Sequence, residues 1–247
     1  MLRGLWKLTW LETKIFVREP MGLVGTIGLP VVMFVFLGRT FGVTVPSASA
    51  AMRVPFNVAV LSAILIAINA VASLVAIISI YREGGILKRL RATPLSPVTI
   101  LSAHVLVKLA FTVVSLGLLV VAGRRMFPGI MAVPLLSFAA ALLLSTLSIL
   151  SLGFVVASVV PTARFAQPIS AAVFYPMVAL SGLFFPIERL PVWLQWVAAT
   201  LPTTHAVSLM QSVWTGTGWT GHWSDAAALV VICGVSSAIA TRVFRWE

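Results

Sequence analysis

Residues 54–81 contain no Asp, Glu, Lys, Arg or His. As a helix rising about 1.5 Å per residue, such a run exceeds the roughly 30 Å of hydrocarbon that a membrane span must cross. The same reading along the chain predicts six spans, over 20–38, 55–81, 101–123, 134–160, 165–186 and 223–241. The third holds His104 and Lys108 near its start. Pro128, Pro134 and Pro161 trim the fourth out of a longer uncharged stretch. The sixth is short enough to draw on Trp223 and Ser224. The expected fold is therefore an all-α, polytopic membrane protein with one transmembrane domain over 1–247.

Composition supports the same class, with 60% hydrophobic and 9% charged residues against about 25% charged in a soluble domain. Disorder is excluded, because it requires low hydrophobicity. The net charge of +11 is scattered between apolar runs, which is poor geometry for tracking phosphates, so no nucleic-acid partner is expected. The basic residues instead sort by flank. Arg3, Lys7, Lys14, Arg18, Arg82, Lys88, Arg89, Arg91, Arg164, Arg242 and Arg245 fall on one side, and Arg39, Arg53, Arg124, Arg125 and Arg189 on the other. That bias places both termini in the cytoplasm. Residues 2–19 carry too much charge for a removable signal core, and Cys233, the one cysteine, reads as a buried, inert thiol.

Residues 187–222 fit no simple span. Pro191, Pro202, Gly216, Gly218 and Gly221 interrupt them, while Trp193, Trp196, Trp214 and Trp219 favour a bilayer interface. Two short helices, over 191–200 and 203–214, that dip into the outer leaflet and return are the expected arrangement between spans five and six. A seventh and eighth span form the competing reading.

Chemistry has little footing. Apart from Asp225 at the boundary of the sixth, no Asp or Glu lies inside a predicted span, which leaves no carboxylate for an ion-coupled relay. His104, His205 and His222 lack metal-ligand spacing, and no glycine is followed by lysine, so a phosphate loop of the G-x-x-x-x-G-K-[ST] type is missing. No metal or cofactor is expected on this chain, and energised work would draw on a partner. Ser145, Thr146, Ser148 and Ser151 read as helix-packing residues. Asn69 reads equally as a helix-interface hydrogen bond or as a pathway residue, and Lys108 as a snorkelling anchor.

Two cytoplasmic elements remain. Over 1–19, Arg3, Lys7, Lys14 and Arg18 share a narrow stripe of one helix, flanked by Trp6 and Trp10, as expected for an interfacial helix on lipid head groups. Glu12 and Glu19 lie opposite the stripe, a pattern that also suits packing against protein. Over 82–98, Gly84-Gly85 permit a bend, apolar and basic residues follow at helical spacing, and Pro94 ends them. This short helix reads either as a basic lipid anchor or as a protein-docking element.

Three stretches in order resemble the permease subunits of type-2 ATP-binding-cassette (ABC) transporters, the exporters of drugs, lipids and polysaccharides. They are Arg18-Glu19-Pro20 before the first span, the loop pattern formed by Arg82, Glu83, Gly85, Leu87, Arg89, Leu90, Thr93 and Pro94, and the segment running from Ser181-Gly182-Leu183-Phe184-Phe185-Pro186 to Pro202-Thr203-Thr204-His205. The resemblance implies that the loop is a coupling helix seated on a cytoplasmic ATPase. It also implies that two such ATPases, which would bind ATP and Mg, serve two permease chains in a bacterial cytoplasmic membrane, as a homodimer or a similar heterodimer. Where relatives often carry an Asp and an Arg after the P-x-T stretch, this chain has Ser208 and Gln211, so an outer ion pair is not carried over. The expected function is non-enzymatic: efflux of an amphipathic or hydrophobic substrate such as a drug or lipid. A polysaccharide or glycolipid cargo and a membrane-embedded enzyme are the alternatives. Asn69, Phe174, Tyr175, Phe184 and Phe185 are the candidate pathway residues, although aromatics at helical spacing are more often packing residues.

Overall fold

The computed structural model describes residues 2–41, 58–86, 97–126, 134–160, 162–184 and 186–243. Among these the chain is helical, with no strand. Helix α1 spans Leu2–Val17. The next helix runs as α2 (Pro20–Leu23), a π-helical turn (Val24–Gly28) and α3 (Leu29–Phe41). Then come α4 (Val58–Glu83), α5 (Pro97–Met126), α6 (Leu135–Val159) and α7 (Ala163–Ala179). A 3-10 turn at Ile187–Arg189 leads to α8 (Val192–Thr200), α9 (Pro202–Thr215) and α10 (Trp223–Val243).

Four helices are long and apolar enough to cross a membrane, namely Val60–Glu83, Ser102–Met126, Leu135–Val159 and Trp223–Arg242, and a shorter apolar helix covers Val24–Thr40. The helix in the place of the fifth expected span, α7, contains Pro168 and Pro176 and stops at Ala179 rather than 186. Gly182, with φ +81, turns the chain there, a backbone region open to glycine at little cost.

The core is built around α4, which packs against α6 and α7 and also meets α3 and α5. Ala63, Ile64, Ala67, Val71, Leu74 and Ile78 are all buried, together with Leu142, Ile149 and Leu150 of α6. Gly153 permits the closest approach, because a Cβ there would lie 2.6 Å from Val71 Cγ1. Ser145, Thr146, Ser148 and Ser151 are all buried in α6, where small hydroxyl residues let helices come together. Lipid chains would meet the helix surfaces left apolar and exposed, among them Val230, Val231 and Val235 of α10. Cys233 on that helix is half-buried, not enclosed as the sequence suggested, because most of α10 faces away from the core.

The π-helical turn has a local cause. Pro30 has no N–H for the carbonyl of Thr26, and that carbonyl accepts instead from the Ser115 hydroxyl at 3.2 Å. Turns of this kind recur at functional sites, and this one faces a cavity.

Candidate functional site

The two helices that flank the 82–98 loop are tied to their surroundings by buried polar groups. Helix α1 turns Leu8, Glu12 and Phe16, four residues apart, towards the bundle, and leaves Trp6, Lys7, Trp10, Lys14 and Arg18 exposed. Leu8 packs on Ile100 and Ala103 of α5. Glu12 is 4% exposed and accepts the Tyr81 hydroxyl at 2.9 and 3.1 Å. His104 Nδ1 lies 3.5 Å from the same carboxylate, and its ring meets Tyr81 edge-on. Lys108, 2% exposed, places its ammonium 3.9 Å over the Phe16 ring. It is thus a buried cation under α1 and no snorkelling anchor, because α1 covers it. Burial pushes the Glu12 carboxyl above its ordinary value, and the Tyr81 hydrogen bond and the Lys108 charge oppose that rise. Helices α1, α4 and α5 therefore meet in one polar knot.

One residue further along α4, Arg82 reaches the opposite way. Its two terminal nitrogens donate to the carbonyls of Val160 and Ala157, at 2.9 and 2.8 Å, at the end of α6. Glu83 accepts the Ala163 N–H at 2.9 Å, at the start of α7. Tyr81, Arg82 and Glu83 thus join the loop's first strut to α1, α6 and α7. Gly85, with φ +66 and nothing within 4 Å of a Cβ built on it, begins the loop with a backbone turn suited to glycine. Leu87, Arg89, Leu90, Thr93 and Pro94 lie outside the described residues, as does the side chain of Arg3.

A cavity of about 460 Å³ opens directly beside this knot, lined by Glu19, Gly22, Gly25, Thr26, Asn69, Ser73, Tyr81 and Gln167 among others. Asn69 donates to its own helix at Leu65, 2.8 Å away, and a Cβ at Gly25 would sit 3.8 Å from Asn69 Oδ1. The amide oxygen is thereby turned towards the π-helical turn and the cavity. Of the aromatic pathway candidates, Phe174 is wholly buried in the core, Phe184 packs against it, Tyr175 is exposed, and Phe185 lies outside the described residues.

The opposite end of the bundle carries α8 and α9. Thr203 of α9 donates to the Met177 carbonyl of α7 at 2.8 Å, and Phe138 of α6 meets the Trp214 ring. Asp225, at the first turn of α10, gathers His205 Nδ1 at 2.7 Å, the Ser208 hydroxyl at 2.7 Å and His222 Nδ1 at 2.9 Å. This cluster is not legible in the sequence, where Asp225 reads only as a boundary residue, because its two halves, His205 with Ser208 and His222 with Asp225, are brought together only by the packing of α9 against α10. A second cavity of about 510 Å³ adjoins it, lined by Glu188, Thr204, Ser208, Gln211, Ser212, Thr217 and His222 among others. No group of His, Cys, Asp and Glu suited to a metal ion occurs among the described residues.

A bundle of apolar helices, four of them long and apolar enough to cross a membrane among the described residues, defines a multi-pass membrane protein. The chain belongs to the ABC-2 type transporter family, whose model matches residues 3–214. The inner membrane transport permease YhhJ of Escherichia coli (strain K12) is 30% identical over 174 residues, 66% of this chain and 44% of that protein. Nodulation protein J of Rhizobium leguminosarum bv. viciae is 30% identical over 99 residues, 40% of this chain and 38% of that one. The alignments thus span less than half the length of these relatives.

Proposed function

We propose that this chain is the membrane-spanning subunit of an ATP-driven exporter, with six spans, both termini in the cytoplasm and α8–α9 as a re-entrant hairpin at the outer face. A separate cytoplasmic ABC ATPase, in two copies and carrying ATP and Mg, docks on the 82–98 loop, and a second permease chain, identical or similar, completes the pathway. The observation that carries this reading is the attachment of residues 81–83 to α1, α6 and α7 at once. A push on the loop then moves these helix ends together. The conformational preference comes from contacts that differ between two arrangements of the bundle.

The cavity beside Asn69 is the expected cargo site. Its walls mix apolar side chains with two amides, hydroxyls and the Glu19 carboxylate, which suits an amphipathic molecule with an apolar body. A hydroxyl-rich cargo such as a polysaccharide or glycolipid is the second reading, favoured by the Ser, Thr and Gln lining of the cavity at the outer end.

Affinity purification from gentle detergent tests the proposal, comparing the native chain with a Gly85→Glu/Leu87→Glu variant. A Walker-type ATPase that copurifies with the native chain and is lost from the variant, with membrane insertion unchanged, is the expected result. Absence of any ATPase from the native preparation, or equal recovery with the variant, overturns it.

A further inference from the structure

His205 sits between two acceptors. Its Nδ1 lies 2.7 Å from Asp225 Oδ1 and its Nε2 lies 3.0 Å from the backbone carbonyl of Ala199. A neutral imidazole carries one N–H and has one acceptor nitrogen, so it satisfies only one of these contacts. The other oxygen of Asp225 accepts from the Ser208 hydroxyl at 2.7 Å and lies 2.9 Å from His222 Nδ1, an environment that favours the ionised carboxylate. Making both contacts at once requires both ring nitrogens of His205 to donate, which only an imidazolium does, and such a ring joins three helices. The Ala199 carbonyl is at the C-terminal end of α8, where a cation is favoured by the helix dipole.

Helix α8 buries only Ala198. Its main contacts are with α9 and the Ile187–Arg189 turn, and Val192, Trp193 and Trp196 are all exposed. The Gln195 amide, which donates to Leu190 at 2.9 Å, links α8 only to the turn before it.

We propose that His205 is a proton-operated latch that holds α8 against α9 and α10 when doubly protonated and frees α8 when it loses one proton. The Nδ1–H tautomer keeps Asp225 and abandons the Ala199 carbonyl, leaving α8 free to swing on the Leu201-Pro202 corner. The ionisable groups around the latch are few. Asp225 of α10 and His222 of the preceding turn share the cluster, while Glu188 and Arg189 of the 3-10 turn are exposed. Helix α8 and the described part of α9 bring none besides His205, α6 has none, Tyr175 of α7 is exposed, and the charged residues of α4 are at its other end. The latch goes beyond the transport reading and is measured without cargo or ATPase.

The test uses the full chain in lipid nanodiscs with spin labels at Trp196→Cys on α8 and Val230→Cys on α10, in a Cys233→Ser background, and measures the distance distribution between about pH 5 and about pH 9. One short population at low pH should give way to a longer one, the ratio changing about tenfold per pH unit once titration begins, as for a single proton. His205→Arg, which keeps a fixed charge and donors for both acceptors, should hold the short population throughout. Asp225→Asn should show the longer one throughout. A native distribution that does not move with pH overturns the latch. So does a titration that survives in His205→Arg, because another group would then be responsible. If His205→Arg fails to fold, direct 15N NMR of the native imidazole decides, since a neutral His205 in the short population equally overturns it.

Discussion

Replacing Tyr81 by Phe deletes one oxygen and leaves the ring that packs at the end of α4. That oxygen donates to both carboxylate oxygens of Glu12, at 2.9 and 3.1 Å, at a site where Glu12 is 4% exposed and water cannot substitute freely. A hydrogen bond to a charged group contributes about 1.5–3 kcal/mol net, whereas hydrogen bonds between membrane helices average about 0.6 kcal/mol. Glu12 keeps His104 at 3.5 Å, so the expected loss is about 1–2 kcal/mol. Unfolding in mixed micelles followed by tryptophan fluorescence measures it, and a Tyr81→Phe/Glu12→Gln double-mutant cycle isolates the pair. The pH dependence has a definite sign. A carboxyl raised by burial binds its proton more tightly in the folded chain, so its stabilising contribution is full below the unfolded value and is lost as pH rises through the folded one. Removing the Tyr81 bond removes an influence that lowers Glu12, so the variant's deficit should widen as the pH rises. A Tyr81→Phe chain within about 0.3 kcal/mol of native at neutral pH, with no interaction energy in the cycle, would refute the knot as an energetic link between α1 and α4.

Gly153→Leu should cost about 1–3 kcal/mol by overpacking the α4–α6 contact, since even its Cβ would lie 2.6 Å from the buried Val71; the same unfolding assay reads this, and a neutral result would mean the two helices separate easily. Arg82→Lys replaces a fork that spans two carbonyls with a single ammonium. In the reconstituted transporter it should raise ATP hydrolysed per cargo moved by about tenfold, the equivalent of one lost hydrogen bond of about 1.4 kcal/mol, with ATPase binding retained. Asn69→Ala should change cargo affinity while leaving basal ATP hydrolysis untouched, and an unchanged cargo profile in a competition assay would move the cargo site away from this cavity.

The polarity pattern alone determined a great deal. The spans read from the sequence at 55–81, 101–123, 134–160 and 223–241 fall on the helices observed at 58–83, 97–126, 135–159 and 223–243, because in a bilayer the backbone must satisfy itself and the helix does so locally. The proline and glycine punctuation of 191–216 marked α8 and α9 to within about two residues. On α1 the described residues of the basic stripe are exposed and Glu12 on the opposite side turns inward, as helical periodicity allows, whereas Glu19 on that same side is exposed. The π-helical turn, the cavity beside it and the partners of each polar residue were decided only by tertiary structure. Glu12 finds Tyr81 across 69 positions and Arg82 finds Val160 across 78, and no spacing rule acts over such separations. Lys108 looked like a residue reaching for head groups, and Asp225 like a boundary residue unrelated to His205 of the re-entrant segment, because burial and pairing depend on which helix covers which. A sequence states what each helix is made of; the packing of α1 over α5, and of α9 against α10, states which charges are forced to meet.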